Sequence, residues 1–182
     1  MTAGSAPARE PPGALRATRG FGALLGRLSR FWSPILALAW YGMIFALSSQ
    51  QTGISAGPLG GSWILNTGHS FLFGMLALWL ALGLPRREGW PRLRAGSVAL
   101  VVGLVLILAA LDELHQGSVP TRHMSVTDVV TDLTGAACVL WICAYTASAA
   151  ASERGLRLRL GLCVAACFAA GALATLAEKA SP

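Results

Sequence analysis

The chain has 182 residues, 54% of them apolar and only 12% charged, with a formal net charge of +6. Soluble domains average about 25% charged residues, so this composition excludes an ordinary soluble enzyme and indicates an integral membrane protein. The basic residues lie in the N-terminal tail and in two short connections, which sets nucleic acid aside as a partner and points to orientation in a membrane.

Residues 1–20 are rich in Ala, Pro, Gly and Arg and read as lacking fixed structure. Residues 21–30 alternate apolar side chains with Arg27 and Arg30, the pattern of a segment lying on the membrane surface. A first span follows at about 31–47, between Trp32 and the polar run Ser48-Ser49-Gln50-Gln51. Its basic flank also fits a cleaved signal peptide loosely, but the long tail and Trp32 favour a retained span. The second span, about 63–84, carries His69 near its start, and residues 85–94 form a basic, proline-flanked connection. The third, about 95–111, has no charge until Asp112, and its helix runs on through Glu113-Leu114-His115-Gln116 until Gly117 and Pro120 stop it. Ser125 is placed to cap a fourth span that runs to about 146. Arg154, Arg157 and Arg159 form a second basic connection before a weaker fifth span at about 160–177. Cys138, Cys143, Cys163 and Cys167 lie inside apolar runs without a C-x-x-C pair and read as small packing residues. Tryptophans near the span ends read as interfacial anchors.

The expected fold is therefore all-α: a polytopic membrane helix bundle of about five transmembrane helices, with a tail and interfacial segment at 1–30 and the membrane domain at 31–178. The tail and both basic connections fall on one side of the membrane if there are five spans and a cytoplasmic N-terminus. That arrangement suits a multi-pass protein of the cell's inner (cytoplasmic) membrane.

The stretch from Asp112 to Gly135 holds four of the eight acidic residues and two of the three histidines, yet it lies between apolar runs. Ionisable groups beside hydrocarbon cost about 2.5–3.5 kcal/mol each on insertion scales, so they mark candidate functional sites. Under the five-span arrangement, Ser49, Gln50, His69, Asp112, Glu113, His115, Gln116, Arg122, Asp128 and Asp132 gather near the extracytoplasmic helix ends, and all ten are candidate binding residues. Asp112, His115 and Gln116 share one helix face, while Asp128 and Asp132 stack on the next span with Gly135 one turn deeper. Two such carboxylates repel unless a cation, a proton or Arg122 intervenes.

The expected partner is a membrane lipid or a lipid-linked cell-wall precursor. Arg122 would hold a phosphate or carboxylate through its planar fork of donors, with His69 and His115 donating and Glu113 and Asp128 orienting them. The alternative is an intramembrane hydrolase or transferase, with a divalent metal among His69, His115, His123 and the carboxylates and Glu113 as general base. Catalytic candidates are then Glu113, His115 and His69. The spacing is no recognised zinc signature, so no metal ligand or cofactor is assigned. The same residues also suit a purely structural clasp between helices. An ion-coupled carrier ranks last, because it wants polar groups at the midplane.

Tyr41-x-x-x-Phe45-x-x-Ser48-Ser49-Gln50, Gly68-His69-x-Phe71, Asp112-Glu113-x-His115-Gln116, Pro120-x-Arg122 and Asp128-x-x-x-Asp132-x-x-Gly135 follow one another in order. In this ordered set, over residues 40–145, the chain resembles the VanZ-like family. The resemblance implies a small bacterial membrane protein of the cell envelope, in a family whose named member is linked to resistance to the glycopeptide teicoplanin. It implies no particular reaction. Two departures stand out: Asn66 where the family often has Lys, and Asp132 where it often has Asn. Both make this chain's site more acidic.

Overall fold

Long apolar runs fold as helices in a membrane because a helix satisfies its backbone polar groups within itself. The computed structural model describes residues 13–49, 60–87, 90–119 and 124–180. The runs form α1 (Ala14–Gly26), α2 (Trp32–Ser48), α3 (Gly60–Ala81), α4 (Ala95–Gln116), α5 (Val126–Thr146) and α6 (Glu153–Ala180). A two-residue antiparallel ladder joins β1 (Arg86–Arg87) to β2 (Trp90–Pro91) between α3 and α4. At 1.5 Å per residue, a helix of about 22 residues is roughly 33 Å long and crosses a hydrocarbon layer of about 30 Å. The helices α3 to α6 hold apolar segments of 19 to 27 residues, long enough for this, and α2 with 17 is the shorter fifth. Outward residues such as Ile107, Leu114, Leu158 and Leu173 are exposed and apolar, which suits a hydrocarbon surrounding. The chain is a multi-pass membrane helix bundle.

The helix α3 packs against α2, α4, α5 and α6, and the core it organises includes Ile44, Phe73, Leu76, Val101, Val105 and Leu140. Its closest neighbour is α5. A Cβ at Gly135 would overlap the Ser70 carbonyl, and one at Gly74 would lie 3.1 Å from the Gly135 carbonyl. Small residues let the two backbones touch, as helix pairs in membranes require. The Ser70 hydroxyl fixes the crossing by donating to the Thr131 carbonyl at 3.0 Å.

One end of the bundle is basic and is tied together by α1. The expectation that residues up to 20 lack structure fails from Ala14 onward, for a reason far away in sequence. The Glu153 carboxylate accepts the Ala14 and Leu15 backbone N–H groups at 2.7 and 2.8 Å, satisfying two of the donors that a helix start leaves open. Arg86 donates to the Leu25, Leu28 and Leu82 carbonyls, and Arg19 donates to the Ser148 carbonyl. Trp90, expected as an interfacial anchor, is instead buried beneath Gly22, where no side chain obstructs its ring.

The fifth span also begins earlier than expected. Arg154, Arg157 and Arg159 lie inside α6, not in a connection, because the Ser152 hydroxyl accepts the Gly155 N–H at 3.1 Å and caps the helix there. The four cysteines are free thiols, and Cys138 and Cys163 each donate to the other's carbonyl at 3.8 Å across α5 and α6.

Candidate functional site

The end opposite the basic connections collects the polar side chains, because five successive antiparallel helices bring the C-termini of α2 and α4 beside the N-termini of α3 and α5. On the α2–α4 seam, Asp112 is fully buried and its Oδ2 accepts from the Ser48 hydroxyl at 2.9 Å and from Gln116 Nε2 at 2.8 Å. The spacing of four between Asp112 and Gln116 makes the second bond possible within one helix. His115 lies on the same seam but nearer the surface. Its Nε2 is 2.8 Å from the Ser49 hydroxyl, and its ring stacks on Phe45 with centroids 3.8 Å apart. Ser49 also donates to the Phe45 carbonyl, which leaves the hydroxyl oxygen open to a proton from His115.

Glu113 faces the other way, toward α5. Its Oε2 accepts the Ser125 backbone N–H at 2.7 Å. Ser125 is the residue before the helix, as expected, but its hydroxyl meets Thr127 at 2.6 Å instead of capping the backbone. The α4 carboxylate supplies part of that cap from across the bundle.

The third pair joins α3 to α5. His69 Nδ1 lies 3.5 Å from Asp132 Oδ1, close enough for a charge contact and too long for a good hydrogen bond. The pair sits one turn from the Ser70–Gly135 contact, where the two helices approach most closely. Glu113 lies within electrostatic reach of Asp112, Asp128 and Asp132, and His69 within reach of the same three.

The structure therefore brings Ser49, His69, Asp112, Glu113, His115, Gln116, Asp128 and Asp132 to one end, all but Asp128 in the contacts given above along three helix seams. Of the residues expected beside them, Gln50, Arg122 and His123 lie outside the described residues. Ser48, Thr131 and Ser125 were missed as partners. Ser48 stands beside Ser49 in sequence, but the use of the Thr131 carbonyl and the Ser125 N–H follows from helix positions that no local pattern reveals.

Several buried atoms here have no hydrogen-bond partner among the described residues: Asp112 Oδ1, Glu113 Oε1, both Asp132 oxygens and His69 Nδ1. Native interiors rarely leave such groups open, because each costs about 1–3 kcal/mol and a charged group more. Chemically, buried acceptors of this kind are complemented by donors: hydroxyl, amide N–H or ammonium groups, or protons. Among the described residues, no three His, Cys, Asp or Glu side chains are placed to hold a metal ion.

No curated protein and no solved structure matches the chain. The family model described as VanZ/LLP1 matches residues 28–147, which spans α2 to α5 and the eight described candidate residues of the polar end. By that match over well more than half its length, this membrane helix bundle belongs to the VanZ/LLP1 family.

Proposed function

We propose that the acidic end binds the polar headgroup of an envelope lipid or a lipid-linked cell-wall precursor, at the extracytoplasmic face of the inner membrane. The sidedness follows from the basic end of the bundle, which the positive-inside rule assigns to the cytoplasm. The observation that carries the reading is the set of buried acceptors on Asp112, Glu113 and Asp132 that have no hydrogen-bond partner among the described residues. A headgroup rich in hydroxyl and amide donors, as sugars and peptides are, complements them. Arg122, in the connection between α4 and α5, takes the phosphate in this reading. Altered glycopeptide susceptibility is then a consequence of engaging the precursor, and a chain of this kind can equally serve ordinary envelope maintenance.

The test is lipid retention by the purified chain in mild detergent, with glycopeptide susceptibility of the cells as a second readout. Arg122→Ala and Glu113→Ala should each reduce the bound lipid and alter susceptibility while leaving the helical content intact. Folded variants with unchanged lipid and unchanged susceptibility would remove the proposal.

A further inference from the structure

A groove opens on the side of the bundle below the His69–Asp132 pair. It has a volume of about 520 Å³ and runs between α3, α5 and α6, with α1 beneath it. Ligand sites commonly occupy about 300–1,000 Å³ and form between the helices of bundles. Thr67, Phe71, Met75 and Leu78 line it at helical spacing along one stripe of α3, and His69 falls off that stripe. From Thr67 to Leu78 the stripe is about 16 Å long at 1.5 Å per residue, roughly the depth of one leaflet's hydrocarbon. Phe21 and Trp90 line its basic end and form a floor there.

We infer that this groove holds one hydrocarbon chain of a membrane lipid, with the chain's ester or hydroxyl oxygen at Thr67. The walls carry no charged side chain, and the opposing faces supply Val139, Ile142, Val164 and thiols. A hydrocarbon chain matches such a mainly apolar lining inside a membrane span. At the outer end the match changes: Thr67 Oγ1 is buried and has no hydrogen-bond partner among the described residues, and the other such atom in the lining, Trp90 Nε1, lies at the basic end. Thr67 stands two residues before His69, so a chain seated here emerges at the surface that bears the acidic cluster. The inference rests on the headgroup reading only for the headgroup's destination.

The test places the full chain in phosphatidylglycerol vesicles doped with a phosphatidylglycerol that carries a diazirine along one acyl chain. Photolysis and peptide mapping then locate the label. Label concentrated on the α3, α5 and α6 groove walls supports the site. Val164 lines the groove and is 54% exposed, so Val164→Trp fills the space without disturbing the core. It should cut that label about tenfold, the effect of roughly 1.4 kcal/mol of lost affinity. Leu162→Trp, which faces outward beside the groove, should leave it unchanged, and Thr67→Val should weaken it. Label spread evenly over outward residues such as Leu106 and Ile107, or undiminished in Val164→Trp, overturns the inference. A diazirine-bearing hydrocarbon that has no headgroup should label the same walls, so failure of the headgroup site leaves that labelling in place. Label from that probe undiminished in Val164→Trp overturns the groove and leaves the headgroup site standing.

Discussion

Replacing Asp132 by Asn separates binding from folding. Asp132 is 1% exposed, and both carboxylate oxygens lack a hydrogen-bond partner among the described residues. Such a group is held at a cost of about 1–3 kcal/mol, and ionisation raises it. Asn keeps the shape, removes the charge and brings an amide to within reach of His69, which stands 3.5 Å away. The substitution gives up a long His–Asp approach, whose attraction is smaller than the desolvation relieved. The delipidated variant should therefore be more stable by about 1–2 kcal/mol, which for a chain of this length raises Tm by about 2–8 °C. Thermal unfolding in detergent, followed by tryptophan fluorescence or by thiol labelling of the four free cysteines, measures it. Lipid retention should fall in the same variant, the exchange of stability against function expected of a binding site. A Tm that drops by several degrees would refute the reasoning, because it would make the carboxylate a satisfied structural partner.

Three further outcomes follow. Gly135→Ala places a Cβ against the Ser70 carbonyl, so α3 and α5 must part, and unfolding in detergent should show a loss of about 1–3 kcal/mol. Ser48→Ala removes one of the donors to Asp112 and should cost about 1 kcal/mol, and a double-mutant cycle with Asp112→Asn should show that the two effects are not additive. Glu153→Ala opens the start of α1, so hydrogen exchange at Ala14 and Leu15 should accelerate while exchange in α3 stays unchanged.

The spans and the polar end were legible in the sequence because both depend on periodicity and composition alone. Apolar runs of the right length must be helices in hydrocarbon, and alternating basic connections order them. Asp112 bonds Gln116 as the four-residue spacing required. The rest depends on partners distant in sequence. Nothing near Ala14 announces a helix, since its cap is a carboxylate 139 residues away. Trp90 reads as an anchor until the bare backbone of Gly22 is seen to cover it. Glu113 and His115, two positions apart, diverge to α5 and α2, which helix geometry allows but composition does not specify. The start of α6 was available locally, because Ser152 before Glu153 is an ordinary cap pattern masked by the arginines that follow.

Native mass spectrometry of the full chain, extracted in a mild detergent, tests the central claim most directly. The acidic end is a lipid headgroup site if the wild-type chain retains a defined lipid that Glu113→Gln and Asp132→Asn both lose while remaining folded. A wild-type chain and two folded variants that carry the same lipids in the same amounts would contradict it.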